Sequence, residues 1–315
     1  METAKKTMLS KRRWLMLFVL SFTAFFAVNE YKMYDLSERF WWVTRPRHNI
    51  AFENVATIEQ YLFYIDHYPV LIVGSSALTQ MPIETMVQPW FHTMCLQGGS
   101  ALTGMEAVLR SGAKPKLLLV EMETTLRGID QPMIDRIFDR FYYPLRRNFY
   151  SLRPNYNWTN LDIKHRMGVV TLMPKQTETQ AQWEEKIAAR VVPTAQSYGR
   201  IDAIPLEEQK RALAKITSQI QQLTERGIEI VFFHTPYDRR IAETVFFRHW
   251  VKSVRAAAPG IRVIPMPSFQ QLPLYTEDGT HLFPSSANDY LNYVLHAAGA
   301  ERFVPEGMHM PASAI

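Results

Sequence analysis

The sequence predicts an α/β protein, a three-layer α/β/α sandwich around a parallel sheet, set behind an N-terminal membrane helix. Three observations carry this. Five short apolar runs recur with helical patterns between them, and strands separated by helices form βαβ units whose sheet is covered on both faces. The runs are continuous rather than alternating, as strands buried on both faces are. Ahead of them, fifteen residues without a charge follow a basic tail.

Residues 1–13 hold Lys5, Lys6, Lys11, Arg12 and Arg13 against Glu2, which is +4 of the chain's net +5. The rest is close to neutral, so no basic surplus is left for a nucleic-acid surface. The run Trp14–Val28 follows. A basic segment ahead of an apolar one orients a chain with its N-terminus in the cytoplasm. As a helix the run spans about 22 Å, short of a hydrocarbon core of about 30 Å. Snorkelling by Arg12, Arg13 and Lys32, with interfacial Tyr31 and Tyr34, covers part of the difference. An uncleaved anchor, a cleaved signal peptide and a buried helix all fit such a run. Phe25 stands where a cleavage site after Ala27 needs a small residue, which favours the anchor. The expected location is the bacterial inner (cytoplasmic) membrane, single-pass, with the body on the periplasmic side. Secretion after cleavage is the alternative.

At 315 residues the chain has room for one large domain or two small ones. Its 47% hydrophobic and 21% charged residues exclude wholesale disorder. The single cysteine, Cys95, excludes an intramolecular disulfide framework and any CxxC site. Residues 31–65, with Trp41, Trp42 and Pro46, read as a juxtamembrane connector and a first helix. Pro69–Val73 is the first strand, ended by Gly74-Ser75-Ser76. His92–Leu96 is the second, closed by Gly98-Gly99, with a helix over about 101–111. Lys116–Val120 is the third. Leu213, Ile216, Ile220 and Leu223 recur at helical spacing within Leu206–Arg226, and Gly227 stops that helix. Ile228–Phe233 is the fourth strand, followed by a helix over about 239–257. Ile261–Ile264 is the fifth, and a last helix over about 286–298 ends near Gly299. The body thus spans 66–300, with a tail at 301–315. The stretch 126–198 breaks the rhythm: it is too long for a plain connection and is rich in aromatic and basic residues, as in Phe141–Tyr150 and Tyr156-Asn-Trp158. It reads as a helical insertion, a cap over the site or a docking surface.

In open α/β sheets the ligand lies beyond the carboxyl ends of the strands. Val73-Gly74-Ser75-Ser76-Ala77 puts a serine on a tight strand-to-helix turn, backed by a helix N-terminus that favours developing negative charge. Such a hydroxyl becomes a nucleophile only with a base in reach; a turn with an N-cap serine looks the same. In Asp278-Gly-Thr-His281 the carboxylate can orient the imidazole and stabilise its protonated form, while the other ring nitrogen takes a serine proton. An Asp-Gly turn with a surface histidine has this pattern too. Gly98-Gly99-Ser100 offers bare backbone N–H groups to a substrate oxygen.

In this order, each after its strand, the three blocks resemble the SGNH (GDSL-type) hydrolase superfamily over about residues 68–298. The Gly-Ser-Ser variant behind a membrane anchor is similar to its members that act in D-alanine transfer to lipoteichoic acid and in alginate and cellulose O-acetylation. The resemblance implies a flavodoxin-like sandwich, Ser76 as nucleophile, His281 as general base and then acid, and Asp278 as its orienting carboxylate. It implies an oxyanion site made by the backbone of Ser76 and the Gly98-Gly99 block, with the Gly99 N–H as donor. It also implies an extracytoplasmic O-acyltransferase or esterase acting on a polysaccharide or polyol beside a polytopic membrane-bound O-acyltransferase. The chain departs from the family after the third strand, where Val120-Glu-Met-Glu-Thr-Thr125 replaces Gly-x-Asn-Asp and leaves Thr124 or Thr125 as substitute donors. Ser75 stands where the family has Asp.

Glu121 and Glu123 read as substrate contacts, partners of a basic residue of the insertion, or a solvated or salt-bridged edge. His234-Thr-Pro-Tyr-Asp238-Arg239-Arg240 follows the fourth strand; Arg239 or Arg240 can hold an anionic polymer, or open a helix with ordinary first-turn charges. His92 and His165 lack partner spacing and read as structural or exposed. No HExxH, P-loop or GxGxxG pattern occurs, so neither a metal nor a cofactor is expected. Transfer requires water to be kept from an acyl-enzyme, which the aromatic insertion can do. The rival readings are a catalytically silent scaffold or polymer-binding subunit that kept the fold and, as a minor option, a soluble secreted lipase.

Overall fold

The computed structural model describes residues 2–40, 50–78, 90–153, 178–199 and 205–306. Strands β1 (Val70–Ser75), β2 (Phe91–Leu96), β3 (Leu117–Glu121), β4 (Glu229–Phe233) and β5 (Arg262–Val263) form one parallel sheet in the order β2-β1-β3-β4-β5. Each falls within about two residues of an expected run. The order is the flavodoxin-like one, and its reversal between β1 and β3 is the switch point where such sheets bind ligands.

The helices are α1 (Glu2–Phe40), α2 (Ile50–Phe63), α3 (Ala101–Ser111), α4 (Gln131–Ile137), α5 (Tyr142–Asn148), α6 (Gln180–Gly199), α7 (Leu206–Glu225), α8 (Arg239–Ala242), α9 (Val245–Ala257) and α10 (Pro284–Ala298). Successive strand side chains point to opposite faces. Leu71, Val73, Leu118, Val120 and Phe232 pack under α2, α3, α7 and α9, while Val70, Ile72, Leu119, Val231 and Phe233 pack under α10. The strands read as unbroken apolar runs because both faces are covered. Helix ends follow local chemistry: the Ser100 hydroxyl accepts from Leu102 N–H to start α3, and Gly112 ends it at φ 73°.

Several expectations are corrected. The helix expected over 239–257 is two, because Thr244 is extended and its hydroxyl donates to Ile241 O. The connector expected over 31–65 is helical through Phe40, and α2 belongs to the body: Val55, Ile58, Tyr61 and Leu62 are core. The apolar stretch Arg13–Lys32 is 20 residues of one helix, long and apolar enough to cross a membrane. At about 1.5 Å per residue that is about 30 Å, so the shortfall of Trp14–Val28 alone disappears. The tail begins as part of the body, since Ala300 is buried and Arg302 Nη2 lies 2.6 Å from Glu229 Oε1. The insertion is helical where described, and α4 enters the core through Ile134 and Ile137. Trp41, Trp42, Pro46, Tyr156, Trp158 and His165 lie outside the described residues. His92 is buried, its Nε2 2.9 Å from Thr57 O, between Tyr61 and Tyr68.

Candidate active site

β1 carries the chain to the switch point, where Ser76 opens a short helical turn. Across the rim, the loop before α10 returns with Asp278 and His281. Ser76 Oγ lies 3.0 Å from His281 Nε2, although 205 positions separate them. His281 Nδ1 lies 2.8 Å from Asp278 Oδ2. A carboxylate only accepts, so the ring proton belongs on Nδ1 and the Nε2 lone pair faces the serine hydroxyl.

The loop is shaped to hold this relay. Asp278 Oδ1 accepts from the Thr280 N–H (2.9 Å), the Thr280 hydroxyl (2.8 Å) and the His281 N–H (2.9 Å). Gly279 sits at φ 88°, and a Cβ there would meet Val191 Cγ2 at 2.8 Å and Ile241 Cδ1 at 2.9 Å, so only glycine fits. Its carbonyl accepts from Asp238 N–H at 2.8 Å, tying the loop after β4 to the site. From the insertion, α6 lies against the loop: Trp183 packs edge-on to Tyr275 and Phe283, and Arg190 donates to Glu277 O at 3.1 Å.

The charges match a relay. Burial pushes the Asp278 carboxyl up, but the hydrogen bonds from His281 and Thr280 outweigh it and hold the group well below the usual carboxylate range. The Asp278 hydrogen bond raises His281 above its ordinary value; burial opposes this, Glu277 adds to it, and the positive charge of Arg127 works against it. Arg127, on the turn after β3, donates to Gly99 O at 3.3 Å and was not singled out in the sequence.

Beneath the Ser75–Ser76 turn lies a buried acid, also missed. Glu121, at the end of β3, is 0% exposed. It accepts from Ser75 N–H, from the Ser75 hydroxyl (3.1 Å), from Thr124 (3.1 Å) and from Thr235 (2.5 Å). Burial pushes its carboxyl up; the bonds from Thr235 and Ser75 oppose this, and the nearby Glu123 adds to it. Gly74 makes room, since a Cβ there would meet Glu121 Oε2 at 2.7 Å. Glu123 pairs with His234 Nδ1 at 2.7 Å and accepts from Thr235 N–H at 2.8 Å. Of the expected readings, Glu123 is salt-bridged, to His234, and Glu121 is buried rather than solvated; among the described residues neither pairs with a basic residue of the insertion. A charged residue ending an otherwise apolar strand was the available signal.

The remaining expected residues fall elsewhere. Gly98 turns the chain at φ 67°, and this directs the Gly99 N–H onto Leu96 O at 3.0 Å, so the donor assigned to Gly99 is engaged in its own turn. Thr124 donates to Glu121 and Thr125 to Met122 O at 2.6 Å; both are buried, and neither hydroxyl is free as the substitute donor. His234 is held by Glu123 rather than by the relay. Arg240 grips Asp238 through two nitrogens, at 2.8 and 3.0 Å, and donates to Glu184 O. Arg239 is exposed, 4.0 Å from Glu243. No family model matches the chain, and no curated protein matches it.

Proposed function

We propose that the protein is a membrane-anchored, extracytoplasmic serine acyltransferase or esterase of the SGNH type, acting on ester-linked acyl groups of an envelope or exported polysaccharide. The observation that carries this reading is the Ser76–His281–Asp278 relay at the sheet's switch point. Ser76 Oγ attacks the acyl carbonyl carbon while its proton passes to His281 Nε2. Asp278 stabilises the imidazolium that forms. The tetrahedral intermediate collapses, the carbonyl re-forms, and His281 returns the proton to the departing group. A polyol hydroxyl or water then attacks the acyl-enzyme, with His281 taking and returning one proton again. The oxyanion is met by the Ser76 amide and by the positive charge of Arg127, in place of the engaged Gly99 amide and Thr124 hydroxyl.

α6 packs against the Asp–His loop, while the side chains of His281 and Asp278 stay 35% and 44% exposed, so both transfer to a polyol and hydrolysis remain within this reading. The donor is proposed to be loaded by a polytopic membrane-bound O-acyltransferase. The test is the acyl content of the envelope polymer in a strain whose only copy is Ser76→Ala. Loss of the ester is expected; normal content overturns the reading. The engaged Gly99 amide and Thr124 hydroxyl favour a second reading, a silent scaffold. Fluorophosphonate labelling of Ser76 excludes that one.

A further inference from the structure

We propose that the segment Arg140–Leu152 is a lipid-docking surface, seated in the headgroup interface beside the end of the α1 span. The proposal rests on α1 crossing a bilayer and on nothing about chemistry at Ser76. Phe141, at the N-cap of α5, shares one side with Tyr142 and Leu145 of that helix by their spacing. They are 64%, 65% and 42% exposed, and no residue of α5 is buried. Arg140 stacks over the Phe141 ring at 5.0 Å, and Arg147 is exposed on the same helix. Such an apolar face, with Arg147 on the opposite side of the helix, is poorly suited to water and is what an interfacial helix presents to lipid.

Its position selects lipid as the occupant. Phe149 packs edge-on against Phe26 of α1 with centroids 5.6 Å apart, and Tyr150 N–H donates to Glu30 at 2.8 Å. Both α1 residues belong to the last turns of the apolar stretch, which ends at Lys32. From Phe26 to Lys32 is about 9 Å of helix, within the depth of about 5–10 Å to which an interfacial helix buries its apolar face. The segment is also fixed to the body. Arg146 Nη1 lies 2.7 Å from the buried Glu59 Oε1 on α2. The Arg153 guanidinium lies 4.6 Å from the Phe63 ring and 3.8 Å from the Tyr150 ring. A bilayer holding α1 thus receives the segment at its surface and keeps the body close to it.

Cys95 is the single cysteine and is buried, so a Cys95→Ser background allows one label per chain. The full chain with Tyr142→Cys, carrying an NBD fluorophore, is reconstituted in phosphatidylethanolamine–phosphatidylglycerol vesicles and compared with Val19→Cys in the span and Glu207→Cys on α7. Shallow doxyl lipid is expected to quench the label at 142 several-fold more than deep doxyl lipid does, the order to reverse at 19, and neither to quench at 207. A label at 142 as unquenched as that at 207, with 19 quenched, overturns the proposal. Removal of α1 from the mature chain, seen by intact mass, overturns it as well. So does quenching at 142 that appears only when another membrane protein is added. An inactive but quenched protein would leave this inference standing and count against the enzymatic reading alone.

Discussion

Truncating Glu121 tests whether the Ser75–Ser76 turn is held from below. Glu121→Ala removes the acceptor of Ser75 N–H, a backbone donor that cannot rotate away, and leaving it buried and unsatisfied costs about 1–3 kcal/mol. The hydroxyls of Ser75, Thr124 and Thr235 can turn, but each loses a buried hydrogen bond, roughly 0.5–1 kcal/mol apiece, and the emptied space adds about 1 kcal/mol. The total of about 3.5–7 kcal/mol is a large share of a domain's stability of about 5–15 kcal/mol. Glu121→Gln keeps the shape. The amide Oε1 can take the place of the carboxylate oxygen that accepts from Ser75 N–H, and Nε2 then faces the Thr235 hydroxyl, which has Glu123 as its other acceptor. We expect Gln to stay within about 1 kcal/mol of the parent. Urea unfolding of the full chain in detergent gives the stabilities, and turnover of p-nitrophenyl acetate reports on the turn. A Gln variant as damaged as Ala would refute the claim that the shape and the acceptor for Ser75 N–H are what matter; an Ala variant as stable as the parent would refute the support itself.

Other outcomes follow from the same geometry. Ser75→Ala removes the hydroxyl that donates to Glu121 and accepts a long bond from Ala77 N–H but keeps its own N–H, so it loses about 1–2 kcal/mol and retains turnover of p-nitrophenyl acetate, whereas Ser76→Ala abolishes turnover and leaves urea stability unchanged. Asp278→Asn lowers kcat by about four orders of magnitude, and a pH–rate profile shows the residual acidic limb at lower pH, because His281 loses the carboxylate that raises it. Arg127→Gln moves that limb the other way, to higher pH, because it removes a charge that disfavours the imidazolium. His281 is held above its ordinary value, so its contribution to stability is full below about pH 6.5 and fades as pH rises through its folded value; Asp278 is held below, so its contribution is present above about pH 4 and fades as pH falls through its folded value. Thermal melts of Asp278→Ala against the parent therefore differ most between those two values. Gly279→Ala forces a positive φ on alanine and a clash with Val191, and urea unfolding is expected to show a loss of about 1–3 kcal/mol.

The sheet was legible because its strands are apolar on both faces and punctuated by glycine: Gly112, Gly227 and Gly299 end helices with positive φ as their positions suggest. The relay was legible because Ser76 and Asp278-x-x-His281 both follow the carboxyl ends of strands, which the parallel topology gathers at one rim. What surrounds the relay was not. Glu121, Thr235 and Glu123 meet only through pairings between β3, β4 and the turn after β1, and no local spacing encodes those contacts. The Gly99 amide was assigned from residue type, whereas its direction is set by the backbone of Gly98. The first helix after the membrane stretch is legible as a helix, but that it belongs to the body rather than to a connector is visible only in its contacts with β2.

The central claim is that Ser76 becomes acylated with His281 as its base. Intact-protein mass spectrometry after brief exposure of the full chain to an activated acetyl ester tests it most directly. The account expects a single acetyl increment mapped to Ser76, absent in Ser76→Ala and strongly reduced in His281→Ala. No increment in the parent chain, or an equal increment in Ser76→Ala, would contradict it.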